Sequence, residues 1–224
     1  ETKLGIYPGL RGTLLLPQLI HKATNDPELA VAIARYFILA GGTSTDSPQM
    51  IHYLGLADLI VPANKRDDAA KMLASAIVRN GGKMLSEDQI NSIGIPRLSE
   101  KLSFEEENEL SVMKDLFLTP SLIPSLAAYG LGWRELFFSG EDKTYAQRIA
   151  RRVFYNSPNA VQTANWLISK GFKDYLDGIC LERLAEYELD NHLMEIFKQP
   201  DAFEGLSAMV EGRFPEFNRN HPFG

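Results

Sequence analysis

Few residues of this chain combine the types and the spacing that chemistry requires. The one cysteine, Cys180, sits between Ile179 and Leu181 with no basic neighbour to favour its thiolate, so the pattern predicts a buried small hydrophobe on a helical stripe. The four histidines, His21, His52, His192 and His221, are too scattered for a zinc spacing. Gly81-Gly82-Lys83 lacks the gap that a phosphate-cradling loop needs, and neither a Gly-x-Ser-x-Gly elbow nor a Gly-x-Gly-x-x-Gly turn after a strand occurs. Nucleotide hydrolysis, serine hydrolysis and dinucleotide binding therefore have no support. Two features remain: a glycine- and proline-rich turn over Leu4-Gly-Ile-Tyr-Pro-Gly-Leu-Arg-Gly-Thr13, and a basic helix face with Lys143, Arg148, Arg151 and Arg152. Such a face can hold a phosphate or can simply be solvated. Trp133 and Trp166 read as anchors of a core or an interface.

The elements that must position these residues follow from periodicity and punctuation. The opening turn reads as a strand end, with a helix starting near Thr13. Asn25-Asp26-Pro27-Glu28 supplies a cap, a proline at the first helical position and an early acidic charge. A helix follows with Leu29, Ala30, Ile33, Ala34, Phe37 and Ile38 on one face, and Gly41-Gly42 closes it. Ser47-Pro48 opens a short helix that ends at Gly55, and Leu56 to Val61 is an apolar run, expected as a small strand, that Pro62 terminates. Asp67 to Asn80 is helical and stops at Gly81-Gly82. Prolines break the stretch 85–140 into irregular helical pieces, one of them opened by a capping box at Ser103-Phe-Glu-Glu106. Helices are then expected over Glu141–Tyr155, from Ser157-Pro158 to Gly171, over Leu176–Phe197 and over Ala202–Gly212.

Composition bounds the class. The chain has 224 residues, a net charge of −6, 45% hydrophobic and 23% charged residues, which excludes disorder and low-complexity architectures. An acidic balance, with a pI near 5.3, argues against nucleic acid and against a polybasic membrane anchor. No apolar run reaches the length of a membrane span. One cysteine permits no internal disulfide, which fits a reducing, cytoplasmic setting, and no metal is expected.

Three blocks, in order, carry a family resemblance. They are Glu1-Thr-Lys-Leu-Gly-Ile-Tyr-Pro-Gly-Leu-Arg-Gly-Thr13, Phe37-Ile-Leu-Ala-Gly-Gly-Thr43 continuing to Gly55-Leu-Ala-Asp-Leu-Ile-Val-Pro62, and Glu204-Gly-Leu-Ser-Ala-Met-Val-Glu-Gly-Arg-Phe-Pro-Glu-Phe217. Together they resemble the crotonase (enoyl-CoA hydratase/isomerase) superfamily, and look most similar to the members fused to 3-hydroxyacyl-CoA dehydrogenases. The resemblance implies an α/β crotonase-like fold, a β-β-α superhelix, with this chain its mostly α-helical C-terminal portion. The N-terminal half of the domain, with the acyl-CoA-binding strands and both oxyanion-hole N–H groups, would then lie outside these residues or on another chain. Three regions are expected: 1–84 as the C-terminal part of the crotonase core, 85–140 as an irregular helical insertion, and 141–224 as a helical region for oligomerisation and CoA covering.

The resemblance also assigns roles. Glu1 stands where the family has a catalytic carboxylate, and Gly5, Tyr7 and Pro8 would line the acyl pocket, although the same turn reads equally well as structural. The helix opened by Gly12-Thr13 would point its N-terminus at that pocket. Arg11 replaces a family glycine and would reach a phosphate of CoA or remain on the surface. The family's contact from the last helix to CoA falls on Met209 and Gly212, which cannot make it, leaving Arg213 as the nearby cation. The implied activity is hydration of a 2-enoyl-CoA thioester. An enoyl-CoA isomerase is the first alternative, and a 3-hydroxyisobutyryl-CoA-type hydrolase is disfavoured by Gly9, where that group has Asp. No cofactor is implied beyond the coenzyme A of the substrate, and a homotrimer or hexamer is expected. A non-catalytic helical assembly module is the alternative from another class.

Overall fold

The computed structural model describes residues 2, 6, 8, 11–41, 47–95, 97–99, 101–118, 145–188 and 194–217. The chain is mostly helical, with no strand among the described residues. The helices are α1 (Gly12–Thr24), α2 (Pro27–Leu39), α3 (Pro48–Tyr53), α4 (Arg66–Arg79), α5 (Glu87–Ser92), α6 (Phe104–Phe117), α7 (Tyr145–Phe154), α8 (Pro158–Leu176), α9 (Leu181–Glu188), α10 (Met194–Phe197) and α11 (Pro200–Glu211). A short 3-10 turn, Ala63–Lys65, leads into α4.

Local chemistry explains most starts. Asp26 accepts a hydrogen bond from the N–H of Leu29 at 2.9 Å, Ser47 from Met50 at 3.0 Å and Ser157 from Ala160 at 3.1 Å, each just before a proline at the first helical position. Ser86 with Gln89, and Ser103 with Glu106, form reciprocal capping boxes. Each bond satisfies a backbone donor that the first helical turn leaves without a partner.

The structure departs from the sequence reading at three places. Leu56–Val61 is an irregular connector; the N–H of Leu98 donates to the Ile60 carbonyl at 3.0 Å, and no ladder forms. α8 runs through Gly171 to Leu176 and turns at Gly178. A Cβ on Gly171 would lie 2.3 Å from Leu14 Cδ2, so this glycine serves the close approach of α8 to α1 and ends nothing. The helix expected over Leu176–Phe197 begins only at Leu181, because the preceding helix continues to Leu176 and a turn at Gly178 follows; its described parts are α9 and α10, and Cys180, in the link before α9, is exposed. Trp133 and residues 119–144 lie outside the described residues.

α2 is the centre of the bundle. It packs against α1, α6, α7 and α8, and nine of its thirteen residues are buried. Ile20, Ile33, Leu54, Met113, Leu116, Phe117, Ile149, Leu167 and Ile168 make up much of the common core. Burying each large aliphatic side chain contributes about 1.5–3 kcal/mol. A smaller cluster of Leu14, Leu184 and Ala185 joins α1 to α9.

One buried residue of α2 is charged. Arg35, 3% exposed, donates from Nη1 to the carbonyls of Phe117 (2.7 Å) and Leu118 (2.9 Å) and from Nη2 to Ser169 Oγ (2.8 Å). The guanidinium thus sits at the C-terminal end of α6, where the helix dipole and the free carbonyls favour a cation. Burial pushes its pKa down to about 10, which leaves it charged at neutral pH. Arg35→Met keeps much of the volume but strands those carbonyls, and should cost about 2–4 kcal/mol in urea unfolding. Arg35→Lys should recover only part, since an ammonium lacks the planar fork. An unchanged unfolding midpoint in Arg35→Met would remove the guanidinium from the stability of the bundle.

Two further polar ties hold α6 in place. Lys114 Nζ lies 2.8 Å from Asp26 and 3.6 Å from Glu28 at the start of α2, and the Ser47 hydroxyl donates to Glu106. Partial burial raises the Asp26 carboxyl, but the Leu29 N–H and the Lys114 ammonium together outweigh it and hold the group below its ordinary 3.8. The Ser103 N–H and the Ser47 hydroxyl hold Glu106 below 4.5. A depressed folded-state value means stability that is present above the unfolded pKa and lost as pH falls through the folded one. Thermal stability should therefore fall from about pH 5 downward, and Asp26→Asn with Glu106→Gln should flatten that acid limb.

Candidate functional site

Of the four proposed site residues, Pro8 is described; Glu1, Gly5 and Tyr7 lie outside the described residues. Two neighbours of Glu1 and Tyr7 show how the segment is anchored. Thr2 is buried: its hydroxyl donates to the Ile38 carbonyl at 3.4 Å, and its own carbonyl accepts from the Ser157 N–H at 3.0 Å. Ile6 packs against the main core. Pro8 folds back on the start of α1, where a Cβ built on Gly12 would be 3.1 Å from Pro8 Cβ.

The junction around Thr2 is polar and buried. Asn156 Nδ2 donates to the Leu39 carbonyl at 2.5 Å, and the Ser157 hydroxyl donates to Asp201 Oδ2 at 2.5 Å. The end of α2, the start of α8 and the first turn of α11 therefore meet beside the opening segment. Asn156, Ser157 and Asp201 are all buried there.

Arg11, which takes the place of a family glycine, has φ 75°. That left-handed conformation is free for glycine and costs a side-chain-bearing residue roughly 1–2 kcal/mol. Its backbone N–H donates to Glu188 Oε2 at 3.0 Å, while Glu188 Oε1 accepts from the Thr13 hydroxyl at 2.7 Å. Glu188 is only 1% exposed. A carboxylate of the chain itself thus occupies the N-terminus of α1, where backbone N–H groups and the helix dipole favour negative charge. This helix end, expected to face substrate, is used to tie α9 to α1. Sequence reading missed Glu188 because it stands among Glu182 and Glu186 with no local mark of burial.

The basic helix is where a ligand-sized space occurs beside charged groups. Arg148 and Arg152, one turn apart on α7, line a pocket of about 230 Å3 with Tyr36, Glu109, Tyr145 and Ile149. The Arg148 guanidinium lies 5.4 Å from the centroid of the Tyr145 ring, within cation–π range. Arg151 does not line this pocket. Two guanidiniums on one wall, with aromatic side chains around them, suit a phosphate carried by a flat or aromatic group.

Near the end of the chain, Arg213 pairs through both Nη atoms with Glu204 and through Nε with Glu211, so it is engaged and not a spare cation for a phosphate. The Arg213 fork, with the Glu216 N–H at 2.6 Å, pulls the Glu204 carboxyl down to about 2. Met209 is exposed and Gly212 is left-handed with φ 68°, ending α11.

No protein-family model, curated protein or solved structure matches the chain. Among the described residues no cluster of three or more His, Cys, Asp or Glu is arranged to hold a metal ion, and no helix is long and apolar enough to cross a membrane.

Removing the Glu188 carboxylate strands the Arg11 N–H and the Thr13 hydroxyl in a buried place. Glu188→Ala should cost about 2–3 kcal/mol in chemical unfolding, and Glu188→Gln, which keeps one acceptor oxygen, clearly less. Equal stability of Glu188→Ala and the parent would show that α1 does not need this cap.

Proposed function

We propose that this chain is part of a crotonase-type enzyme acting on acyl-CoA thioesters, with hydration of a 2-enoyl-CoA as its reaction. The three ordered sequence blocks support the family. The observation in the structure that supports a CoA ligand is the pocket of Arg148, Arg152 and Tyr145, where two guanidiniums outnumber the one carboxylate of Glu109.

In this reaction charge develops on the thioester oxygen as the enolate forms, and backbone N–H donors stabilise it by several kcal/mol. The resemblance places those donors before Glu1, outside this chain. Hydration uses two glutamates in the family, and the resemblance places the other before Glu1; between them one would take a proton from the water attacking C3 while the other gives a proton to C2, so that one water is added across the double bond and no electrons are lost. The isomerase alternative would need Glu1 alone, moving a proton between C2 and C4. Gly9, in place of the Asp of 3-hydroxyisobutyryl-CoA-type hydrolases, favours hydration over thioester cleavage. A cytoplasmic location belongs to the same proposal.

A second reading has one observation in its favour. On and after α11, Phe203, Met209, Val210 and Phe214 are exposed together with no covering element among the described residues. Such a patch suits an assembly contact, in line with a homotrimer or hexamer, and the chain would then serve association without catalysis.

Crotonyl-CoA hydration, followed by loss of the conjugated thioester absorbance in the protein that carries this chain, tests the enzyme reading. Glu1→Gln should lower kcat by about 10²–10⁴-fold, the usual contribution of a general acid or base. Arg148→Ala with Arg152→Ala should raise KM for crotonyl-CoA and abolish any preference for CoA over 3′-dephospho-CoA, leaving kcat nearly unchanged. Absence of hydration, isomerase and hydrolase activity, with a single larger oligomer in sedimentation, would leave the assembly reading instead.

A further inference from the structure

The geometry points to the groove between α4 and α5 as a docking site for an acidic peptide segment, held by Lys71 and Arg79. These two helices leave the bundle as an arm: α4 buries Ala69 alone, and α5 buries no residue. A cleft of about 570 Å3 runs between them, with Met72, Ala76, Leu85 and Ile93 forming its apolar part and Lys71 and Arg79 on the α4 side. No carboxylate lines it.

Charge selects the partner. Neither cation makes an ion pair or a side-chain hydrogen bond with a described residue. The acidic groups of the arm are spent elsewhere, Asp67 and Asp68 in the first turn of α4 and Glu87 and Asp88 in that of α5, where they favour the helix N-termini. The whole chain carries a net charge of −6, so an acidic segment is repelled by most of the surface and drawn to this groove. Lys71 and Arg79 are eight residues apart, about 12 Å along the helix. A partner with two carboxylates at about that separation and apolar side chains between them fits both the ends and the floor.

The apolar surface extends past the cleft, which favours a peptide over a small amphiphile. Val78, one heptad from Lys71 and thus on the same side of α4, is 76% exposed, and Met84, in the connection to α5, is 94% exposed. A small carboxylate filling the cleft would leave both bare, whereas a bound segment can cover them. Adaptable methionines at the floor and the edge suit a surface that moulds to a partner.

Fluorescence anisotropy with a labelled amphipathic peptide, carrying two glutamates about two helical turns apart around a leucine pair, tests this. The intact chain should bind it with an affinity that falls with added salt. Lys71→Glu with Arg79→Glu should weaken binding by about tenfold or more. Both side chains are exposed, so the circular dichroism spectrum should not change. A peptide with lysines for the glutamates should bind the charge-reversed variant and not the parent. Failure of the parent to bind the acidic peptide, equal binding by the charge-reversed variant, equal binding of a glutamine version, or displacement of the peptide by dodecanoate at matched concentration would each overturn the proposal.

Discussion

The guanidinium of Arg35 sits buried between three helices, and its three hydrogen bonds set how α2, α6 and α8 lie against one another. A charge so deeply buried is tolerated because it is spread over a planar group and meets partial negative charge on every described side where it donates. Two of its acceptors are carbonyls at the end of α6, which could not otherwise find intrahelical donors. The third, Ser169 Oγ, itself donates to the Asn165 carbonyl, so α8 is tied in through its own backbone. The apolar residues of α2 would accept many packings of similar volume, but these directional bonds accept few.

The same logic recurs at the second junction. Glu188 closes the start of α1, while Thr2, Asn156, Ser157 and Asp201 lock the opening segment to α2, α8 and α11. Each tie is a hydrogen bond made in a buried place, costly to disturb because a stranded donor or acceptor loses its water as well as its partner. The opening segment is therefore fixed at Thr2 and at Pro8 by the helical bundle, and any chemistry on that segment inherits its position from helices far along the chain. This is a physical route by which the C-terminal helices can matter to a site carried at the beginning.

The pocket beside α7 and the groove between α4 and α5 differ in kind. The pocket beside α7 is small, walled by the buried Tyr36 and Ile149, and lined by two arginines one turn apart against the one carboxylate of Glu109. The groove of α4 and α5 is open, with its charges far apart and Ser75, Asn80, Gln89 and Ser92 among its apolar residues. Both borrow cations from a chain whose overall charge is acidic, one pair from a helix packed into the bundle and the other from the arm. Local excess of one sign, not net charge, is what a ligand meets at contact distance.

Much of the helical architecture was legible in the residues themselves. Asp26-Pro27, Ser47-Pro48, Ser103 with Glu106, and Ser157-Pro158 announce helix starts through short-range hydrogen bonds that need no tertiary contact, and the structure places helices after all four. Of the candidate site, sequence singled out Arg148 and Arg152, and folding brought Tyr36 and Glu109 to them from other helices. Gly171 shows the limit: its neighbours in sequence suggest a helix stop, and only Leu14, packed against it from α1, explains why it is glycine inside a continuous helix. Leu56–Val61 has strand-like composition, yet a strand needs a ladder, and the Leu98 N–H bonded to the Ile60 carbonyl does not extend into one among the described residues. Local hydrogen-bonding chemistry was thus determined by sequence alone. Which carboxylate is buried at Glu188, which arginine is central at Arg35 and which apolar face is left open on α4 depend on contacts between residues distant in sequence, and those only the tertiary structure decided.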